Sequence, residues 1–381
     1  MKIAIVGPSK RYLSGVSYYT IRLSNALSNY TTVKAILFRK MLPKRLFPGW
    51  KRVGKELTKL KFNGNVKVFE ILDWNNPITW IKALKTIKDC DAIIIQWWTS
   101  SVAHMHLALE LMNRLSSKIP VIIEFHEVVD PLEDSIMPIR IYSRLMGKMV
   151  RRLADRYVVH STTDENLISQ IYKIPKNKIR VIPHGIYDHY EKLDKNFARK
   201  KLNIKEDFVI LFFGLIRPYK GVKYLIEAFE NLPERIVENS RLLIVGEVWE
   251  DETSVEMAIR SKYSDSITVI NKYVPDDEVS LYFSSADVVV LPYLRASQSG
   301  VAHIAMAFGL PIIATPVGGL KESLSKYEGT YFVEPKSAES LASAIIETYR
   351  MRKTYRPPKD LKWDSIAKKW IDLLTEIKKS R

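Results

Sequence analysis

Short apolar runs alternate with longer amphipathic stretches along the whole chain, and this alternation limits the possible folds more than any other feature. In the first half the runs are KIAIV (2–6), VKAILF (33–38), DAIIIQ (91–96), PVIIEF (120–125) and DRYVVH (155–160). In the second half they are FVILFF (208–213), RLLIVG (241–246), SITVI (266–270), DVVVL (287–291) and LPIIAT (310–315). Such runs joined by helical stretches are typical of parallel strands with crossover helices. We therefore predict an α/β protein with two doubly wound, Rossmann-like units that face each other.

A polar, charged stretch at about residues 190–205 separates the two sets of strands and is typical of a linker with a small helix. The predicted domains are residues 1–190 and 191–362, followed by a C-terminal segment, 363–381. In this segment the apolar positions of a predicted helix share one face: Ile366, Trp370, Leu373 and Ile377. We expect the segment to pack back on the body of the protein.

Composition is that of a globular protein in a reducing compartment. At 381 residues and 46% hydrophobic, the chain can bury two cores. Its single cysteine, Cys90, excludes an internal disulfide and is expected to be a buried structural thiol. No apolar run approaches the roughly 18 residues that cross a bilayer, and MKIAIVG is too short for a signal peptide. These features predict a cytoplasmic location.

The positive charge lies mainly in the first half. Residues 1–190 contain 30 Lys and Arg against 15 Asp and Glu, whereas residues 191–381 contain 29 against 27. An excess of this kind predicts an anionic partner for the first half.

Residues 34–67 contain eleven of these cations and a single acid, Glu56. The cations are Lys34, Arg39, Lys40, Lys44, Arg45, Lys51, Arg52, Lys55, Lys59, Lys61 and Lys67. The large apolar residues among them are Phe38, Leu42, Leu46, Phe47 and Trp50. This mixture favours peripheral binding to an anionic membrane, here the inner face. A solvated loop and helix face is the alternative, and RNA binding fits less well because no nucleic-acid motif accompanies the charge.

The turn Arg217-Pro218-Tyr219-Lys220-Gly221 follows an apolar strand directly. Two permanent cations beside a glycine turn suit a diphosphate, whose oxygens they stabilise more strongly as a bond to the phosphate breaks. We therefore predict catalytic roles for Arg217 and Lys220, while a solvated basic turn is the alternative.

A second anion site is predicted where the strand DVVVL leads into SQSG, residues 297–300. A helix begins near Gly300 with Ser299 as its N-cap, and the free amides of such a helix N-terminus bind phosphate. The predicted nucleotide-binding residues of the second half are Gly214, Tyr273, Val274, Ser297, Gln298, Ser299, Gly300 and Val301. A capped core helix without a ligand is the alternative.

In the first half, Gly15 opens a helix after the first strand, but the stretch lacks the GxGxxG fingerprint, which disfavours a hydride-transferring enzyme. Gly15 is predicted to contact phosphate or acceptor, unless it only starts the helix. His126 ends the strand IIEF between Glu124 and Glu127, at the edge where ligands bind in open α/β sheets. We predict that it hydrogen-bonds a sugar hydroxyl, although a lone histidine is often structural. No histidine pair has the spacing of metal ligands, so no metal site is predicted.

Taken in order, these motifs resemble those of glycosyltransferase family 4, a retaining class with the GT-B fold. FFGLIRPYKG resembles the family's turn that grips the donor diphosphate, and LPYLRASQSGVAHIAMAFGLPIIAT resembles its signature. VIPHG resembles its hinge approach, and DAIIIQWW and EFHEVVDP resemble strands of its acceptor domain. The resemblance implies that His126 lies near the transferred sugar.

Two departures from the family pattern stand out. The two signature glutamates, which in the family touch the sugar and the ribose, are replaced by Ala296 and Ile304. Gln298, Ser299 and His303 are the nearest polar substitutes. The arginine of the turn is at position 217, two positions later than in the family pattern, which would place it at Leu215.

The sequence therefore predicts a retaining hexosyltransferase that uses a UDP- or GDP-sugar, without a metal or other cofactor. Its predicted acceptor is a glycan or polyprenyl-linked molecule at the membrane, and no nucleic acid is expected as a partner. Two alternatives stay open: a catalytically silent partner subunit that binds a sugar nucleotide, and a sugar-nucleotide epimerase. The epimerase would need carboxylates for acid and base catalysis, for which Glu124, Glu127 and Glu133 are the candidates.

Overall fold

The computed structural model of the chain describes residues 1–12, 14–42, 53–54, 58–296 and 298–380. The described residues form thirteen strands: β1 (Lys2–Pro8), β2 (Thr32–Lys40), β3 (Val66–Asp73), β4 (Ala92–Trp97), β5 (Val121–Phe125), β6 (Arg156–Val159), β7 (Ile179–Val181), β8 (Phe208–Phe213), β9 (Ser240–Val245), β10 (Ile267–Ile270), β11 (Val288–Leu291), β12 (Ile312–Ala314) and β13 (Thr330–Phe332). They also form fourteen α-helices: α1 (Gly15–Leu27), α2 (Pro77–Ile87), α3 (Ala103–Leu115), α4 (Met137–Leu153), α5 (Thr162–Tyr172), α6 (Lys195–Lys201), α7 (Val222–Glu230), α8 (Glu234–Glu238), α9 (Glu252–Arg260), α10 (Asp276–Ser285), α11 (Gly300–Phe308), α12 (Gly319–Leu324), α13 (Ala338–Met351) and α14 (Trp363–Lys379).

Each apolar run identified in the sequence is a strand in the structure. The sequence missed β3, β7 and β13, which are all edge strands of their sheets. An edge strand is less covered by neighbouring elements, so its residues need not form a continuous apolar run. In β3, for example, several residues alternate between exposed and partly buried.

The chain forms two compact units. One consists of Met1–Gly185 together with Asp360–Arg381, and the other is Ile186–Lys359. The small helix expected near residue 200 is α6. Within the described ranges, none of the helices combines the length and the apolar character that crossing a bilayer requires.

The first unit is built on a parallel sheet in the order β3-β2-β1-β4-β5-β6-β7. The chain moves outward from β1 to β3 and then returns to β4 on the other side of β1. Adjacent loops diverge at such a reversal, which creates a crevice at the carboxyl ends of the strands. Residues from β1, β4 and β5 therefore reach the same edge.

The C-terminal helix α14 belongs to the first unit, where it packs against α1. Its apolar face is buried, with Ile366 and Trp370 fully inaccessible. Together with Tyr19 and Leu23 of α1, these residues form a core beside the sheet. The periodicity of the sequence identified this face correctly.

The second unit has a parallel sheet in the order β10-β9-β8-β11-β12-β13. Here the order reverses between β8 and β11, which pair directly. Two doubly wound parallel sheets confirm the predicted α/β class. The β8 and β11 loops leave the sheet side by side, and these are the loops that carry the predicted anion sites.

Candidate functional site

The turn after β8 is shaped by two glycines with positive φ. Gly214 has φ +112° and Gly221 has φ +67°, a region that favours glycine. Between them, Pro218–Lys220 form one turn of 3-10 helix. A Cβ atom at Gly221 would clash with the carbonyl oxygen of Pro292, which follows β11. Glycine is thus required where the two neighbouring loops touch.

Aromatic rings orient the two cations of this turn. The guanidinium carbon of Arg217 lies 4.7 Å from the ring centre of Trp249, and Lys220 Nζ lies 3.6 Å from that of Tyr293. Both cations are partly buried, and neither belongs to an ion pair among the described residues. Cation–π contacts position a charge without neutralising it. No acidic side chain of the described residues therefore competes with an anionic ligand for these two cations.

The N-terminus of α11 lies next to this turn. The Ser299 hydroxyl caps the helix by accepting a hydrogen bond from the N–H of Ala302 at 3.3 Å. A Cβ atom on Gly214 would lie 3.5 Å from the Val301 side chain, so the β8 loop approaches the first turn of α11. Free amides at a helix N-terminus and nearby cations are together suited to bind phosphate groups.

Gln298 lies between the two positions where the family has glutamates, and its side-chain amide has unmet hydrogen bonds among the described residues. Ile304 is buried, and Ala296 is partly buried. Both amide atoms of Gln298 are inaccessible and have no hydrogen-bond partner among the described residues. Because unpaired buried amides are unfavourable, this group is suited to a ligand hydroxyl. Ser297 lies outside the described residues.

His303 is a buried part of α11. Its Nδ1 lies 2.8 Å from the Ser299 carbonyl oxygen, to which it donates a hydrogen bond. Burial lowers the pKa of His303 to about 4, so the imidazole is neutral near pH 7. It thus supports the turn that leads into the helix.

Tyr273 and Val274 follow β10 at the carboxyl edge of the second sheet. Since β10 is two strands from β8, these residues lie farther along the edge than the Arg217 turn. Val274 is buried and Tyr273 partly buried.

In the first unit, His126 belongs to a buried polar network. Its Nε2 lies 2.6 Å from Oε1 of Gln96, whose Nε2 donates to Oε2 of Glu124 at 2.6 Å. The Tyr19 hydroxyl donates to the other oxygen of Glu124 at 2.5 Å. Gln96 and Glu124 are direct partners on β4 and β5, so the sheet register brings them together.

This network selects one tautomer of His126. The amide of Gln96 donates toward Glu124, so its carbonyl oxygen faces the imidazole and must accept. His126 therefore carries its proton on Nε2, which leaves Nδ1 with a lone pair. Desolvation, followed by the nearby His160, holds the pKa of His126 well below its usual value. The ring is neutral, and its Nδ1 can accept a hydrogen bond from a hydroxyl.

Glu124, His126 and His160 each have a possible metal-ligand atom, and these atoms lie within 4.8 Å of one another. Both carboxylate oxygens of Glu124 already accept hydrogen bonds, from Tyr19 and from Gln96. The side-chain oxygen of Gln96 in turn accepts a hydrogen bond from His126. Burial raises the pKa of Glu124 to about 7, which weakens it as an anionic ligand. The contacts describe a hydrogen-bond network better than a metal site.

The remaining predicted residues of the first unit are Gly15, Glu127 and Glu133. Gly15 is the first residue of α1, after the Ser14 cap. Glu127 is exposed, and Glu133 lies 3.4 Å from the Tyr172 hydroxyl. Of the three acids considered for an epimerase, Glu124 is thus the one that accepts hydrogen bonds within the network around His126.

Much of the basic stretch 34–67 lies outside the described residues. The predicted members outside them are Lys44, Arg45, Leu46, Phe47, Trp50, Lys51, Arg52, Lys55 and Glu56. Of those described, Lys34 pairs with Asp89 at 2.6 Å, and Arg39 donates to Asp73 at 2.9 Å. Tertiary structure therefore supplies acids that a local count misses, and these two cations are already paired.

Comparison with known proteins identifies two family models along the chain. The model described as Glycosyltransferase Family 4 matches residues 13–189, and the model described as Glycosyl transferases group 1 matches residues 194–370. An uncharacterized glycosyltransferase of Methanocaldococcus jannaschii is 29% identical over 225 residues, 54% of this chain and 56% of the relative. The lipopolysaccharide 1,2-N-acetylglucosaminetransferase of Salmonella typhimurium is 27% identical over 183 residues, 45% of this chain and 48% of the relative. The chain thus spans about half the length of the curated relatives it matches.

Solved structures share the fold over the whole chain. Sucrose-phosphate synthase from Thermosynechococcus elongatus has a TM-score of 0.69 at 19% identity, and the alignment covers 100% of this chain and 100% of the synthase. Anabaena HepE in complex with UDP-glucose has a TM-score of 0.64 at 17% identity, with 100% of this chain and 98% of HepE covered. The two family models together span most of the sequence and both sheets, and the chain therefore belongs to the family 4 glycosyltransferases, with their GT-B fold of two Rossmann-like domains.

Proposed function

We propose that this protein is a retaining glycosyltransferase that moves a sugar from a UDP- or GDP-sugar to a glycan or lipid-linked acceptor at a membrane surface. The observation that carries the proposal is the pairing of Arg217 and Lys220 with the N-terminus of α11 at adjacent strand ends. The relatives support this choice, since HepE is described with UDP-glucose and the Salmonella enzyme is named for transfer to lipopolysaccharide.

In the proposed reaction, the bond between the sugar and the diphosphate breaks and negative charge grows on the leaving diphosphate. Arg217, Lys220 and the amides near Ser299 and Gly300 stabilise this charge. An oxygen of the departing diphosphate takes the proton of the acceptor hydroxyl as the new bond forms on the same face of the sugar. The proposal needs no metal and no dedicated protein base.

His126 contributes to sugar binding in this proposal. Its neutral ring donates through Nε2 to Gln96, and Nδ1 accepts a hydrogen bond from a sugar hydroxyl. In the second unit, the side-chain amide of Gln298, which has no partner among the described residues, is proposed to bind another hydroxyl of the donor.

The test begins with a panel of UDP-, GDP- and ADP-sugars. We expect one donor to raise the melting temperature of the full chain and to be turned over, by hydrolysis or by transfer. Arg217→Gln and Lys220→Gln should each lower the rate by about 100- to 1000-fold, as for loss of one charge-stabilising donor. Lys223→Gln is the matched control, because this exposed lysine contacts the Tyr224 ring just beyond the turn. Equal loss in the control would contradict the assignment.

A catalytically silent, sugar-nucleotide-binding subunit is the second candidate, favoured by the apolar side chains at Ala296 and Ile304. A nucleotide that stabilises the protein without any turnover would support this candidate. Measurable transfer by the purified chain would exclude it.

The proposed membrane location rests on the basic stretch 34–67. Flotation with vesicles that contain anionic lipid should carry the protein upward, and reversing the sign of Lys44, Arg45, Lys51 and Arg52 should weaken this binding. Full binding by the reversed variant would reject a role for this stretch.

A further inference from the structure

Helix α4 presents two parallel rows of side chains, one apolar and one basic. The apolar row repeats every four residues: Met137, Ile141, Leu145 and Met149. The basic row repeats with the same period: Arg140, Arg144, Lys148 and Arg152. Positions four apart form continuous ridges along a helix, so the two rows run side by side.

Both rows are exposed. Ile141 is 60% accessible, Leu145 is 53% and Met137 is 70%, although such residues are usually buried. All four members of the basic row are exposed as well. The helix contains no acidic residue. Its outer face is therefore an apolar stripe bordered by uncompensated positive charge.

A groove opens beside the basic row. It has a volume of about 770 Å³. Among the described residues, one acid lines it, Glu133, together with the cations Arg144, Lys148, Arg152, Lys173 and Lys178. The groove thus extends the positive surface from α4 to the segment after α5.

Arg151 also lines the groove and is almost fully buried. Its guanidinium stacks 3.6 Å from the centre of the Tyr172 ring, and Nη1 has no hydrogen-bond partner among the described residues. A buried cation with an unmet donor is unfavourable unless an anion compensates it. Nη1 is inaccessible and faces Gly147, so Arg151 contributes positive charge beneath the groove but no donor that an anion can reach. A phosphate in the groove would instead contact its exposed cations Arg144, Lys148 and Arg152.

Charge decides which partner fits this face. A second copy of the same face would place its cations against those of the first, which opposes association. A nucleic acid would satisfy the cations but would leave the apolar row without a partner. An anionic lipid surface satisfies both rows, because apolar side chains enter the interface while Lys and Arg reach the headgroups.

We propose that α4 docks the protein on anionic membranes, with its apolar row in the lipid interface and a headgroup phosphate in the Arg151 groove. The inference rests on the proposed membrane location but assigns it a second surface, separate from residues 34–67. It does not depend on sugar transfer.

Vesicle binding by the full chain tests the proposal, with phosphatidylcholine vesicles that contain or lack phosphatidylglycerol. Wild type should bind only the anionic vesicles, and less at high salt. Arg144→Gln combined with Lys148→Gln should weaken binding by about 30-fold, since each cation near an anionic surface contributes about 1 kcal/mol. Ile141→Ser combined with Leu145→Ser should also weaken vesicle binding. At high salt, where apolar contacts dominate, this apolar variant should lose more affinity than the charge variant does. Lys200→Gln combined with Lys201→Gln, which removes the same charge from α6, should bind as wild type.

Donor-induced stabilisation keeps the two proposals apart. Both α4 variants should retain the wild-type melting temperature and its shift with the sugar nucleotide, because the donor loops belong to the other unit. Wild-type vesicle affinity in the α4 variants would overturn the inference and leave the transferase proposal intact. Absence of any donor effect would overturn the transferase proposal alone. Binding of RNA or of inorganic phosphate that the Arg144 and Lys148 variant loses, with no binding of wild type to the anionic vesicles, would also overturn the lipid assignment.

Discussion

Replacing Glu124 with glutamine should remove a specific part of the pH dependence of stability. Burial raises the pKa of Glu124 from 4.5 to about 7 in the folded protein. Between these values the folded protein keeps a proton that the unfolded chain has released, so stability falls as pH rises through this window. Each pKa unit corresponds to about 1.4 kcal/mol, which gives a loss of about 3 kcal/mol by pH 7.

The Glu124→Gln variant is neutral at every pH and lacks this loss. Relative to wild type, it should gain about 3 kcal/mol between pH 4.5 and 7.5. The lowered pKa of His126 acts in the opposite direction, because stability is lost as pH falls below the pKa of the unfolded chain. That contribution is present in both proteins and largely cancels in the difference.

Urea unfolding followed by hydrogen exchange in β4 and β5 would measure this difference for the first unit. Glu127→Gln is the matched control, because Glu127 is an exposed acid three residues away. A difference that stays flat from pH 4.5 to 7.5 would refute the view that Glu124 is held neutral by burial. A slope of the opposite sign would mean that the hydrogen bonds from Tyr19 and Gln96 outweigh desolvation.

Three further outcomes are expected. Gly221→Ala should destabilise the second unit by about 2 kcal/mol or more, because of its left-handed φ and the clash with Pro292; an unchanged urea midpoint would contradict this. Gln298→Met should raise the stability of the unliganded protein by about 1 kcal/mol, since it removes unpaired buried groups, and should weaken donor binding in calorimetry. A less stable variant with wild-type donor affinity would show that Gln298 is structural. Burial raises the pKa of Cys90 to about 11, so native protein should react with iodoacetamide far more slowly than protein in urea; equal rates would exclude a buried thiol.

The candidate site was predictable where it follows directly from strand ends. Arg217, Lys220 and Ser299 each come a few residues after an apolar run, and the carboxyl ends of parallel strands are where ligands bind. The capping role of Ser299 is confirmed by its hydrogen bond to Ala302. The functional roles of the predicted residues stay predictions that the proposed variants test.

The partners of those residues could not be predicted. Trp249 and Tyr293 orient the two cations from loops that follow β9 and β11, far away in the chain. Nothing in their local sequence distinguishes them from core aromatics. The expectation that residues 34–67 form an unopposed basic surface was likewise incomplete, because Asp89 pairs with Lys34 across the unit.

The amino-acid sequence alone was sufficient for the α/β class, the main strands and the apolar face of the last helix. These properties depend on hydrophobic periodicity, which is local and can be counted along the chain. The polar network of the first unit depends instead on strand register. The register places Gln96 beside Glu124, and the resulting hydrogen bonds determine the tautomer of His126, which lies close to His160. Hydrogen-bond partners and burial depend on contacts between distant segments, so no local pattern specifies them, and the exposed rows of α4 became evident only once the packing of that helix was known.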